Sequence, residues 1–184
     1  MATADELKDQ GIQQFQQREY EQAAEQFRAA RAAYEAAGQD DLAAEMRVNL
    51  GLALHNLDAS DDALVEMSAA RDFFQAQNDP HRLAQVLGNM GRVYAKLGNT
   101  EQALTSYREA SALFIEAGDE ENYGQTVLAI ADLQLRTGHP TQAAATYEVG
   151  LDYIKNPNAR QKLMKNLLGL RNRIAGQGSD SSEG

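Results

Sequence analysis

Apolar residues along this chain recur at three- and four-residue steps, and the whole pattern returns after 40 residues. Ala103, Tyr107, Ala110 and Phe114 are spaced 4, 3 and 4, which puts them on one stripe of an α-helix. The matching stripes are Ala23, Phe27, Ala30, Tyr34, then Ala63, Met67, Ala70, Phe74, then Ala143, Tyr147, Gly150, Ile154. Small alternates with large along each. That alternation lets two helix backbones approach closely at the small residue while a bulky side chain fills the adjoining gap. Twelve residues upstream runs a second column, Gly11, Gly51, Gly91 and Ala131, where the paired helix crosses without a bulky side chain. The repeating unit is a helical hairpin, and the fold class is all-α.

Punctuation sets the boundaries. Gly38, Gly98, Gly118 and Gly138 suit helix C-terminal caps, Thr3, Ser60 and Thr100 suit N-caps, and Pro80 and Pro140 suit first turns. Helices are predicted near 4–17, 20–36, 41–57, 61–76, 80–97, 101–117, 120–137, 140–155 and 159–175. One domain, 1–176, then holds repeats at about 4–38, 41–78, 80–118 and 120–156, with a capping helix at about 159–175. The Ser-, Gly- and acid-rich tail, 177–184, reads as disordered. The last helix keeps the register: Leu167 falls in the column of Leu7, Leu87 and Val127, and Leu170 in that of Leu50, Met90 and Ile130. Arg160, Lys162, Lys165, Arg171 and Arg173 line its other faces, as expected of a helix that closes an apolar end with a solvated outer surface. The alternative is that this basic helix docks an acidic partner or lipid.

Composition narrows the chemistry. Three Pro in 184 residues leave long stretches free of helix breakers, and the 43% hydrophobic fraction is enough for a buried core. No Cys is present, which excludes disulfides, thiolate metal sites and a cysteine nucleophile; a cytoplasmic, soluble protein is the expectation. Net charge is −10, unevenly spread: residues 1–150 carry 11 Lys+Arg against 24 Asp+Glu, and 151–184 carry 6 against 3. Such a body repels nucleic acid and anionic membrane surfaces, and no run is long enough to span a bilayer.

An enzyme is not expected. His55, His81 and His139 are isolated near helix ends or turns, and none has a metal-spaced partner. There is no phosphate-cradling Gly-rich loop, no nucleophile elbow and no cofactor motif. Asp58, Asp61 and Asp62 lack the ligand spacing and bend-forming Gly of a helix-loop-helix calcium site; Asp61 and Asp62 better complement a helix N-terminus.

Leu87, Met90, Gly91, Tyr94, Gly98, Ala103, Tyr107 and Ala110 resemble the tetratricopeptide repeat (TPR) pattern at every spacing, and the likeness extends over about residues 4–175. It weakens at both ends, where Gln10 and Gln14, or Ala131 and Gln134, replace the expected residues. The usual period is 34 residues, so a 40-residue unit lengthens the helices, as in kinesin light chains and spindle-orientation adaptors. The resemblance implies a right-handed α-solenoid of four TPR-like hairpins plus a C-terminal capping helix, with first helices lining a concave groove. A HEAT-type solenoid has a similar period, but the Gly and Ala columns argue against it.

It also implies a protein or peptide partner held in that groove, with self-association through the array's ends or convex surface as the alternative. The groove face of each first helix is i, i+4, i+7, i+11: Glu45, Asn49, Leu52, Asn56; then Gln85, Asn89, Arg92, Lys96; then Gln125, Ala129, Asp132, Arg136, with Asp5, Asp9, Ile12 and Gln16 at the start. Asn49 precedes Leu50-Gly51 and Asn89 precedes Met90-Gly91, places where long-helix members use Asn to hold a ligand's backbone. A carboxamide suits that role because it both donates and accepts; the alternative is that the two simply tie neighbouring helices together. Leu52 and Asn56 complete the candidate site on one side. Arg92, Lys96 and Arg136 make the later part basic and favour an acidic segment or terminal carboxylate. The clamp by which some family members hold chaperone tails is not expected: Lys8 and Asn49 match it, but Ile12, Gln85 and Asn89 stand where Asn, Lys and Arg are needed.

Overall fold

The computed structural model describes residues 2–179, with side chains described to Leu170. Nine α-helices and no strand occur among the described residues: α1 (Ala4–Gln16), α2 (Tyr20–Ala36), α3 (Asp40–Asn56), α4 (Ser60–Ala76), α5 (Pro80–Lys96), α6 (Thr100–Glu116), α7 (Glu120–Arg136), α8 (Pro140–Asp152) and α9 (Ala159–Ser179). The class is an α-solenoid of successive helix hairpins. The chain divides into two compact units, Met1–Ser106 and Tyr107–Gly184. In the first, α1 through α5 each pack on the next; in the second, α7 packs on α8 and α8 on α9.

The turns keep strict time. A left-handed residue stands every twenty positions: Gly38, Gly98, Gly118 and Gly138 as expected, and Arg18 (φ 64°), Asp58 (φ 62°) and Asn78 (φ 53°) at the three places without Gly. At each, the next amide reaches back to the last helical turn, as Gln39 N does to Tyr34 O (2.9 Å) and Asp79 N to Phe74 O (3.0 Å). Asp and Asn tolerate this conformation; Arg18 bears the larger steric penalty.

N-terminal caps differ in part from expectation. Thr3 forms a full capping box with Glu6. Ser60 and Thr100, however, are the first helical residues. Ala59 holds the cap position of α4 and makes no side-chain cap bond. The twenty-residue turn fixes where each helix begins, and it places these hydroxyls one step too late to cap. Asp79 and Asp119 cap α5 and α7, accepting from the amides of Arg82 and Asn122, and Pro80 and Pro140 open α5 and α8.

The small and large columns meet as the alternation requires. Phe27, Met67, Tyr34 and Phe74 are fully buried, and Ala23, Ala63 and Ala103 have no exposed surface. A Cβ on Gly11 would lie 2.7 Å from the Phe27 ring; on Gly51 it would lie 2.8 Å from Met67 Cγ and 3.1 Å from Ala63 O. In the second unit Gly150 takes the same part, its absent Cβ 2.8 Å from a Leu128 methyl.

Both ends of the α8–α9 segment depart from expectation. Helix α8 stops at Asp152, three residues before the expected end, with Tyr153 as its C-cap. Helix α9 runs on to Ser179, through 177–179, while 180–184 lie outside the described residues. It docks through Leu168 and Met164 on the α8 core, leaving Leu163, Leu167 and Leu170 at 59%, 52% and 51% exposure. The register mates of Leu170, namely Leu50, Met90 and Ile130, are buried, as are Leu87 and Val127 in the column of Leu167. Arg160, Lys162 and Lys165 are exposed as expected of this helix, and the exposed leucines stand beside them. The longer link 153–158 does not impose the hairpin geometry of the three-residue turns, and Arg160 is drawn instead to Asp132. Arg171 and Arg173 lie outside the described side chains. Among the described residues no helix is long and apolar enough to cross a membrane.

Because Gly51 faces backbone as well as a side chain, Gly51→Leu is expected to destabilise the chain by roughly 2–4 kcal/mol. A thermal melt followed by circular dichroism measures it.

Candidate peptide-binding groove

Helix α3 packs on both sides. Ala43, Met46, Leu50 and Ala53 enter the core shared with α2, and Ala44 with Val48 enters the core shared with α4. Helix α5 sends Val86, Met90 and Val93 into that second core, against Met67, Ala70 and Phe74. This brings α3 and α5 side by side over α4, in direct contact. The face left over on α3 carries Asn49, Leu52 and Asn56, and on α5 Asn89, Arg92 and Lys96.

Those six residues are not equivalent. Asn49 and Asn89 are half-buried, and neither side chain forms a hydrogen bond with another described residue. Leu52 is half-buried against the α4 core. Asn56 is spent locally, its Nδ2 donating to Leu52 O (2.8 Å). Lys96 is also committed: Nζ donates to His55 O (2.9 Å) and pairs with Asp58 Oδ1 at 2.5 Å, holding the end of α5 to the turn after α3. Arg92 is exposed and makes no ion pair among the described residues. Arg136 is exposed on α7, in the second unit.

Charged groups beside the site are mostly paired. Arg82 reaches Asp79 (2.5 Å), Glu45 (3.3 Å) and Asp41 (3.4 Å), and its guanidinium lies 4.6 Å from the Phe74 ring centroid. The backbone amide of Arg82 and then its side chain hold the Asp79 carboxyl below the ordinary range. Glu66 receives Arg31 (2.6 Å) and Arg47 (3.0 Å), and Arg47 also reaches Glu35 (2.7 Å), joining α2, α3 and α4. Sequence patterning had one trace of this network, the Arg31–Glu35 step of four. Its other partners lie 12 to 35 residues apart, where helical periodicity carries no signal.

His55 sits in the last turn of α3, buried, with no hydrogen-bond partner for Nδ1 among the described residues. Burial first, then the charges of Lys96 and Arg92, push its pKa down, with Asp58 opposing.

In the second unit, Asp132 of α7 accepts from the Tyr147 hydroxyl of α8 and from Arg160 of α9 (2.5 Å). Burial, then that bond, pushes the Tyr147 pKa up to about 12. Between these three helices lies a pocket of about 250 Å³. No motif pointed to it. Among the described residues, no group of three or more His, Asp or Glu could hold a metal ion.

Stacked hairpins with a side-chain-lined face on the first helices define a TPR-like helical-repeat protein. The family model of the soluble NSF attachment proteins (SNAP) matches residues 1–168. The chain belongs to the SNAP family. No curated protein matches it. Among solved structures it is similar to aspartyl phosphate phosphatase F from Bacillus subtilis (TM-score 0.77, 16% identity, 82% of this chain, 39% of that one). It is also similar to a Rap protein complexed with Competence and Sporulation Factor (0.73, 13%, 82%, 42%). A third is the Rap conjugation gene regulator of plasmid pLS20 in complex with the Phr* peptide (0.71, 20%, 98%, 56%). At these identities the likeness is one of fold, and this chain spans less than two thirds of each.

The buried imidazole gives a pH dependence. With its folded pKa depressed, His55 takes a proton more readily when unfolded, so its effect on stability is flat above the ordinary imidazole pKa and unfavourable below it. The melting temperature should fall between about pH 7 and 5, and His55→Leu should make that fall shallower in the same melts.

Proposed function

We propose that the chain is a non-catalytic interaction scaffold that holds a segment of a partner protein against α3 and α5 through Asn49 and Asn89. One observation carries this reading: two carboxamides on adjacent helices are half-buried yet unengaged by the described protein groups. Each can both donate to and accept from a peptide unit, so a pair can hold an extended backbone without reading its side chains. Leu52 supplies apolar surface beside them, and the unpaired Arg92 favours an acidic residue in the segment. Asn56 and Lys96 serve chiefly to hold the helix ends, and Arg136, on α7 of the second unit, is a separate exposed cation.

Three further points support the scaffold reading. Helix starts at 20, 60, 100 and 140 fit a long-helix TPR-like array with a 40-residue unit. Two proteins of similar fold are described in complex with Competence and Sporulation Factor and with the Phr* peptide, a precedent for ligands on such arrays. The histidines stand at separate helix ends, and the one that is buried, His55, faces Lys96 and Arg92 rather than a nucleophile.

A second reading is self-association through the end of the array, favoured by the exposed stripe of Leu163, Leu167 and Leu170.

Replacing Asn49 and Asn89 together with Ala should abolish capture of the partner from native lysate while the helical circular dichroism stays unchanged; undiminished capture refutes the groove reading. For the second reading, light scattering across concentration should show a dimer or larger species that Leu167→Glu returns to monomer. A strictly monomeric wild type removes it.

A further inference from the structure

We infer that the pocket between α7, α8 and α9 is a binding site for an uncharged side chain ending in a carboxamide, the glutamine or asparagine class, presented by another polypeptide. It is separate from the α3–α5 face and does not depend on it.

The argument begins with the walls. Leu128, Ala129, Leu151 and Met164 give the space an apolar lining suited to an aliphatic stem. At about 250 Å³ it is smaller than the roughly 300–1,000 Å³ of pockets that take drug-sized ligands, and matches one side chain better than a whole small molecule.

The polar lining then selects the head group. Asp132 and Arg160 pair with each other, so together they bring no net charge, and a charged ligand entering the pocket would lose hydration without a free counter-charge. Tyr147, its pKa raised by burial, keeps its proton and donates it to Asp132, which fixes the carboxylate. Both donors fall on Oδ1, and Oδ2 has no donor among the described residues.

Three amides complete the lining. Asn158 and Gln161 cap α9 reciprocally: each side-chain oxygen accepts from the other's backbone amide, at 3.0 and 2.8 Å. Their oxygens are thus used while their NH₂ groups are without an acceptor among the described residues. Gln125 is the converse, its Nε2 donating to Glu121 (3.3 Å) and its oxygen left open. The residues lining the pocket therefore carry two spare NH₂ donors together with a carboxylate oxygen and an amide oxygen as spare acceptors. A carboxamide, with one acceptor and two donors, is complementary to that set, whereas a purely aliphatic side chain leaves it unmatched. Helix α9 is needed for this site, since Asn158, Gln161 and Met164 form one wall; its first turn closes a pocket as well as an end.

The test is a titration of the full chain, ¹⁵N-labelled, with N-acetyl-glutamine N-methylamide. Saturable amide shifts gathered on Ala129, Asp132, Leu151 and Met164 are expected. Capped norleucine, lysine and glutamate analogues should bind roughly tenfold more weakly or not at all. Met164→Trp and, separately, Ala129→Leu fill the space from different helices, and each should remove the response while helical circular dichroism persists. Equal binding of the norleucine or charged analogues, shifts confined to residues outside the pocket, no saturable response, or a full response in a folded filled variant overturns the inference. Asn49→Ala with Asn89→Ala should leave this titration unchanged, so failure here is distinguishable from failure of the groove reading.

Discussion

Close approach of one helix backbone to the next is the constraint on which the rest depends. At Gly51 the neighbouring Ala63 carbonyl and Met67 side chain occupy the space where a Cβ would stand, and Gly11 meets Phe27 in the same way. Such contacts are possible only if the facing column alternates small with large, and they fix both the separation and the rotation of each helix. Once rotation is fixed, the remaining face of each first helix is fixed too. Asn49 and Asn89 come to lie half-buried on the remaining faces of α3 and α5 for that reason, and not because of any local signal at their own positions.

The turns carry the second half of the specification. A left-handed residue at every twentieth position, three times without glycine, makes α2 to α7 equal in length and ends each with the same backbone bond. Equal helices keep the small and large columns opposite one another. Where the rhythm breaks, at the link 153–158, the register breaks with it, and α9 docks on Leu168 while Leu163, Leu167 and Leu170 turn outward. The same departure brings Arg160 to Asp132 and Tyr147 and closes the pocket beside α7.

Much of this architecture was legible in the amino-acid order because hairpin packing is local and periodic: the columns at Ala103, Tyr107, Ala110 and Phe114 report directly on one helix face. Asp58 and Asn78 carried a weak signal, since Asp and Asn tolerate the left-handed conformation, whereas for Arg18 only the twenty-residue spacing could have found the turn. Ser60 and Thr100 were misplaced as caps because capping preference is weaker than the turn that sets the helix start. For the site, the exposed face was predictable and the pairing was not. Lys96 looked like a free cation until Asp58 and the His55 carbonyl came within reach, and the Glu66 network joins residues from three helices that periodicity cannot connect. The Asp132–Tyr147–Arg160 cluster likewise exists only through tertiary placement.

The most direct measurement of the packing claim is a set of nuclear Overhauser contacts in the folded chain. The account predicts cross-peaks from the Gly51 α-protons to the Met67 side chain and from the Gly11 α-protons to the Phe27 ring. Absence of both, with those side chains instead contacting residues outside the small columns, would contradict it.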